Sequence, residues 1–291
     1  SQSKIMTRLI EDDIRTKEVL EWRGINLLHF SGSSCSQKTR IFLNLKGIEW
    51  VSHPVNLATG ENYSDWFLGI NPRGLVPVLV DDGGVHIESN DIIQYLEKKF
   101  PLPELIPAEY KELAPKLLRE EDDLHIDIRN ISFRFLFGKL ARKKEDSALK
   151  KFEEDLGTIE GKKDNHKVNE LKFYKDFNKE GITNKSVIQS ALKFKKVYDG
   201  FESNLTKQPY FLGKELSLLD IAWFIYTHRL ILSGYPFKKT HPKVVNWYQN
   251  LLKREEFKKE VNESLILRNV RRLTRFQDAI KGTTLRKIVN F

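Results

Sequence analysis

A proline at the head of a β run narrows the possible folds most. In Asn71-Pro72-Arg73-Gly74-Leu75-Val76-Pro77-Val78-Leu79-Val80 the residues after Pro77 read as a buried strand. A proline lacks the N–H that a ladder needs, so it must stand at a strand start or edge. Asp81-Asp82-Gly83-Gly84 signals a hairpin turn, and Val85 to Ile87 reads as the return strand. Glu88-Ser89-Asn90-Asp91 then opens a helix with apolar positions Ile92, Ile93, Tyr95, Leu96 and Phe100, which Pro101 stops. Ser89 is a natural N-cap. Upstream, Ile25 to Phe30 reads as a buried strand. Thr39, Ile41, Phe42 and Leu45 follow at helical spacing, and Gly47 suits the C′ position.

Between that first strand and helix lies Ser31-Gly32-Ser33-Ser34-Cys35-Ser36-Gln37-Lys38-Thr39-Arg40. Small hydroxyls and the chain's single cysteine thus sit on a strand-to-helix turn. Free N–H groups and the positive dipole end of a helix start favour an anion there. A thiolate qualifies, whether it belongs to Cys35 or to a bound thiol. The plainer reading is a serine-rich N-cap with Cys35 packed as a small hydrophobe. The full order is strand, helix, strand, helix, strand, strand, helix, which predicts an α/β thioredoxin-like N-terminal domain.

Over roughly residues 25–103 the chain resembles the cytosolic glutathione transferase superfamily. The likeness is closest to the zeta class and the tetrachlorohydroquinone dehalogenases, and extends to bacterial β-etherases. The residues that carry it are Ser33-Ser34-Cys35-Ser36, Thr39-Arg40, Leu45-Lys46-Gly47-Ile48, Asn71-Pro72 with Val76-Pro77, and Glu88-Ser89. The resemblance implies that Pro77 follows a cis bond and that Val76 offers its backbone to the cysteinyl unit of glutathione. It implies that Glu88 and Ser89 hold the γ-glutamyl end. An acid there meets the α-ammonium, and a helix N-terminus meets the α-carboxylate. Ser89 can also serve as a simple cap, and the two roles are compatible.

The 291 residues exceed one such module, so a second domain is required. After Pro103 strand patterns give way to helical periods, which predict an all-α domain over 104–291. One helix is expected from about Glu109 to Leu140, another from about Val187 to Leu205, a buried one over Ile221 to Leu232, and a further one over Pro242 to Lys253. Ser217 and Asp220 have capping-box spacing, which makes Asp220 a structural rather than a catalytic acid.

Two segments depart from the family pattern. Residues 1–24 form a charged extension, with some helical character at Met6, Leu9 and Ile10. Residues 141–185 form an insertion rich in Lys, Glu, Asp and Asn. Its hydrophobes Phe152, Leu156, Leu171, Phe173, Tyr174 and Phe177 allow one or two short helices. Its charge density predicts a solvated, partly mobile segment.

The net charge of +9 is concentrated in the tail, where Arg268, Arg271, Arg272, Arg275, Lys281, Arg286 and Lys287 face one acid, Asp278. Val270, Leu273 and Ile280 give that tail a partial apolar stripe. A helix docked on the body with a basic outer face is the expectation; no nucleic-acid partner is expected. One cysteine excludes an intramolecular disulfide. That suits a reducing, cytoplasmic location, where glutathione is abundant. No transmembrane segment or secretory signal is evident, and the seven histidines show no metal-ligand spacing.

The resemblance implies a homodimer that uses glutathione as co-substrate, with no metal, and activates its thiolate against a small hydrophobic or aromatic electrophile. Transfer (detoxification), lyase, isomerase and dehalogenase-like chemistry all stay open. It assigns Ser33 as the hydroxyl donor, Ser34 as support, and Cys35 as the cysteine that in the dehalogenases forms a mixed disulfide with glutathione. The electrophile pocket is expected around His125, Arg129, Asn130 and Phe133. The alternative is a non-catalytic binding or regulatory protein of the same fold, working through its insertion or basic tail.

Overall fold

The structure, a computed structural model, describes residues 7–291; Met6 lies outside the described residues. The chain forms two compact units. One comprises the residues up to Pro103 together with Lys143–Asn178, the other Glu104–Arg142 and Lys179–Phe291.

The first unit is built on a five-stranded sheet. Its strands are β1 (Thr7–Arg8), β2 (Ile25–His29), β3 (Val51–Pro54), β4 (Val78–Asp81) and β5 (Gly84–Ile87), in the order β1-β5-β4-β2-β3. Only β2 and β3 pair in parallel. Helices α1 (Ser34–Lys46), α2 (Asp65–Leu68) and α3 (Ser89–Lys99) accompany the sheet, giving the thioredoxin-like arrangement that the order of elements predicts. Ser33 caps α1 by accepting from the Ser36 N–H at 3.2 Å, and Gly47 ends it in the left-handed conformation. The extension is not the helix that Leu9 and Ile10 suggest. Thr7 and Arg8 add an antiparallel strand to the edge of β5, and 3-10 turns follow at Glu11–Asp13 and Lys17–Glu21. Leu9, Ile14 and Val19 are buried in the core with Leu28, Val78, Val80 and Ile87.

Beyond Pro103 the elements are α4 (Ala114–Asp122), α5 (His125–Ser132), α6 (Asp146–Glu154), β6 (Thr158–Ile159), β7 (Lys162–Lys163), α7 (His166–Glu180), α8 (Asn184–Asn204) and α9 (Leu218–Ser233). After them come α10 (Phe237–Thr240), α11 (Pro242–Leu252), α12 (Glu255–Lys258), α13 (Leu265–Lys281) and α14 (Leu285–Val289). The single helix expected over Glu109–Leu140 is broken: Leu124 leaves helical geometry, and a π turn over Phe133–Phe137 ends α5. In α9 every residue from Leu218 to Leu230 is buried, beside Phe194 and Tyr198 of α8. Asp220 is the structural acid its spacing predicts. Its carboxylate accepts from the Phe211 and Ser217 N–H groups, the Ser217 hydroxyl and the Trp247 indole at 2.9 to 3.0 Å. Helix α13 packs against the Phe133–Phe137 turn as expected, with Val270 half-buried and Arg275 donating to the Leu232 carbonyl at 2.6 Å, while Leu265, Ile266, Leu273, Phe276 and Ile280 are exposed.

The insertion is the main correction. Its core, residues 143–178, belongs to the sheet unit and not to the helical domain, and it is packed rather than solvated. Phe152 is 0% exposed, and with Leu149 and Leu171 it encloses Tyr63 and Leu68 in a second core. The Tyr63 and Phe152 rings stack with centroids 4.5 Å apart. Burial of a phenylalanine contributes about 2–3 kcal/mol. Where one or two short helices are expected, two form, and between them runs a β6–β7 hairpin that no sequence signal marks. Glu160 and Gly161 both take positive φ at its turn, the geometry that a two-residue I′ turn requires.

The extension and the insertion hold each other. The buried Asp13 carboxylate accepts from Thr158 Oγ1 at 2.7 Å and from the N–H groups of Glu160 and Gly161 at 2.7 and 2.8 Å. Arg15 grips both oxygens of Asp155 at 2.8 and 3.0 Å. Burial works against both carboxylates, but their hydrogen bonds outweigh it and hold each below the ordinary range.

Candidate functional site

Sheet register brings the three singled-out stretches to one end of the sheet. Leu28 pairs with Val78 and Val78 with Ile87, so β2, β4 and β5 share a row there. Just beyond that row lie the Ser33–Cys35 turn, Val76 with Pro77, and Glu88 with Ser89. Two helix N-termini, of α1 and α3, start from this end.

At the first, Ser33 Oγ accepts the Ser36 N–H, which uses a lone pair and leaves the hydroxyl proton to donate elsewhere. Ser36 Oγ in turn accepts the Phe30 N–H at 3.3 Å, tying the turn to the end of β2. Ser34 and Cys35 are both half-buried in the first turn of α1, and the Cys35 carbonyl accepts from Thr39 Oγ1 at 3.0 Å. The second stretch has a cis bond between Val76 and Pro77. Its approach is fixed by Asn71, whose Nδ2 donates to the Leu75 carbonyl at 2.9 Å, and by Gly74 at φ 64°. A Cβ on Gly74 would come within 2.8 Å of the Tyr63 ring.

At the third, Glu88 occupies the N-cap position of α3 with φ 69° and ψ 117°. A side chain at positive φ outside glycine costs on the order of 1–3 kcal/mol and persists only where neighbours fix it. Here the neighbour is Arg73, whose Nη1 contacts Glu88 Oε1. The same guanidinium sends Nε and Nη2 to the two oxygens of Asp164 at 2.9 and 3.0 Å. Burial opposes charge on Arg73, but Asp164 and Glu88 more than reverse it and raise its affinity for the proton. Asp164 responds in the opposite sense: burial raises it, Arg73 outweighs that, and its carboxyl falls below the usual range. Ser89 is buried, and Lys38, only 1% exposed, places Nζ 3.3 Å from Ser89 Oγ and 3.0 Å from Asn90 Oδ1. The α3 N-terminus therefore combines a helix dipole with a buried ammonium, an arrangement suited to a carboxylate.

Sequence reading singled out neither Lys38, Arg73 nor Asp164 as a site residue. Lys38 lies inside the quoted motif, one helical turn past Ser34. The Arg73–Asp164 pair spans 91 positions and has no local signature. His125, Arg129 and Asn130 lie on α5 in the helical unit. There Arg129 Nη2 meets His125 Nε2 at 2.7 Å, and Asn130 donates to Ser190 Oγ at 3.2 Å. Among the described residues no group of three or more His, Cys, Asp or Glu is placed to hold a metal, and no helix is long and apolar enough to cross a membrane.

Comparison with known proteins bears on this geometry. Residues 32–99 match the glutathione S-transferase N-terminal domain family and residues 189–250 the corresponding C-terminal domain family. A zeta-class glutathione S-transferase of Euphorbia esula is 44% identical over 90 residues, which cover 31% of this chain and 40% of the relative. Maleylacetoacetate isomerase of Pseudomonas aeruginosa is 41% identical over 88 residues, covering 29% of this chain and 42% of that one. The alignments thus span about two fifths of these curated relatives. The crystal structure of the β-etherase LigF from Sphingobium sp. strain SYK-6 superposes with a TM-score of 0.65 at 26% identity, covering 82% of this chain and 99% of its own. Neither family extends into residues 100–188, which contain the insertion. The chain thus resembles the glutathione S-transferase family in sequence over residues 32–99 and 189–250, and in fold over the 82% of the chain that superposes on the β-etherase.

Proposed function

We propose that this protein is a glutathione-dependent enzyme that activates the glutathione thiolate for attack on a small hydrophobic electrophile. The observation that carries the reading is the shared row Leu28, Val78 and Ile87, which sets three anchoring stretches at one end of one sheet. In this reading Ser89, the α3 N-terminus and the nearby Lys38 receive the α-carboxylate of the γ-glutamyl end. Glu88 receives its α-ammonium, and the Val76 backbone pairs with the cysteinyl unit.

The thiol then meets the start of α1. A free thiol is mostly protonated at neutral pH. The Ser33 hydroxyl and the helix dipole stabilise the anion and raise the reactive fraction. Ser34 supports the turn. Cys35 is the secondary group, able to form a mixed disulfide with glutathione where the reaction removes a leaving group reductively. Transfer to the electrophile, ether cleavage and cis–trans isomerisation all begin from this same thiolate. The names of the relatives, a maleylacetoacetate isomerase and a β-etherase among them, set the substrate classes to try first. A homodimer in the cytoplasm is the matching assembly and location.

Titration calorimetry with reduced glutathione tests the reading. Micromolar to millimolar binding is expected, weakened in Ser89→Ala. No binding by the unsubstituted chain overturns it. A turnover screen with aryl ethers, halogenated aromatics and maleyl compounds then separates an enzyme from a non-catalytic binding protein. A solution mass of 34.1 kDa at micromolar concentration would overturn the dimer.

A further inference from the structure

The insertion reaches the Glu88 end of the site, and it does so through one ion-pair relay. Asp164 takes Nε and Nη2 of Arg73 as a two-point fork, and the remaining Nη1 meets Glu88 Oε1. The three side chains are each about one-fifth exposed, at 17% for Arg73, 17% for Asp164 and 23% for Glu88. That leaves the group largely screened from bulk water without sealing it off.

Charge decides what such a relay can do. Arg73 and Glu88 alone would form a neutral pair, and the guanidinium would compete with any ligand cation for Glu88. With Asp164 added the group carries one net negative charge. Two of the guanidinium's three nitrogens are engaged by Asp164, so Arg73 orients Glu88 through one oxygen and leaves the second for a ligand. Asp164 is not required merely to hold the insertion. Phe152 and Leu149 bury it against Tyr63, and Asp13 and Arg15 pin its hairpin and the end of α6. The insertion also braces the turn that carries Arg73: a Cβ on Gly157 would come within 2.7 Å of the Pro72 ring.

We propose that the insertion is a working part of the glutathione site, with Asp164 as a positioning residue that acts through Arg73 to set Glu88 for the α-ammonium of the γ-glutamyl group. This rests on the glutathione reading above.

The test compares two ligands, glutathione and its analogue with glutaryl in place of γ-glutamyl, which lacks only the α-amino group. The native chain should prefer glutathione. Asp164→Asn removes the charge at constant shape and should weaken glutathione by roughly tenfold, the scale of one charge-assisted contact. It should leave the analogue nearly unchanged, and Asp164→Glu should restore part of the preference. Equal loss for both ligands, or no loss, overturns the inference while leaving the glutathione reading intact. Failure of the native chain to bind glutathione overturns that reading instead. Should Asp164→Asn not fold, as judged by its thermal transition, Asp164→Ser is measured against the same ratio.

Discussion

Ser33 shows how one side chain can serve fold and chemistry together. As an N-cap it accepts from Ser36 N–H, and as a hydroxyl it still has a proton for a thiolate. Ser33→Ala should therefore cost about 1 kcal/mol of stability. It should also lower turnover by roughly 100-fold or more, the scale of one lost anion-stabilising donor, with glutathione affinity almost unchanged. Cys35→Ser should spare the first chemical step; if Cys35 resolves a conjugate, that conjugate accumulates in the variant. Full activity in Ser33→Ala with loss in Cys35→Ser would reverse the order and move the reaction toward reductive removal of a leaving group. The placement of these groups is legible because each lies in a short stretch that also dictates its local structure: a serine before a helical period, a proline before an apolar run, an acid at a helix start, although the N-cap position of α3 falls on Glu88 rather than on Ser89. Arg73 and Asp164 are not legible, because a pair 91 residues apart leaves no periodicity to read.

At the scale of elements, the charge density of the insertion points to a solvated segment, but the spacing of its few hydrophobes outweighs it. Leu149 and Phe152 are three apart on α6, and Leu171 and Tyr174 three apart on α7, which is how one face of a helix is marked. Their buried partner, Tyr63, lies 86 to 111 residues earlier, where no local pattern points to it. Packing changes the proteolysis expected of the chain. Lysine-rich as it is, the stretch from Lys143 to Asn178 should resist trypsin. Asp13→Ala removes three hydrogen bonds to the hairpin. It should destabilise the insertion by about 1–3 kcal/mol and expose Lys162 and Lys163 to early cleavage. Phe152→Ala should act more strongly, by about 3–5 kcal/mol. Rapid cutting of the native chain in this stretch would contradict the packed arrangement.

On the scale of the molecule, both units carry a buried histidine whose neutrality is built into the fold. His86 lies in β5, stacked on Tyr95 with centroids 4.0 Å apart. Burial first, then the charge of Arg8, brings its pKa down to about 4. His228 lies in α9 with Nδ1 2.7 Å from the Tyr248 hydroxyl, and burial with the charge of Arg229 lowers it to about 3. Each stands at about 6.5 once the chain unfolds. Below that value the unfolded chain takes up protons that the folded chain refuses, so stability is fully present above pH 6.5 and falls as pH drops toward 4. The slope is on the order of 1 kcal/mol per pH unit for each histidine. The depressed carboxylates Asp13, Asp155 and Asp164 add their loss lower, as pH falls from about 4 through their folded values, where His228 is still titrating, so the interval from about 6.5 to 4.5 belongs mainly to the histidines. Urea midpoints measured from pH 7.5 to 4.5 should decline steadily from about pH 6.5. His86→Phe keeps a ring against Tyr95 but cannot take up a proton, and it should flatten part of that decline. A midpoint independent of pH over this range would show that neither histidine is held neutral, and a decline undiminished in His86→Phe would show that His86 is not.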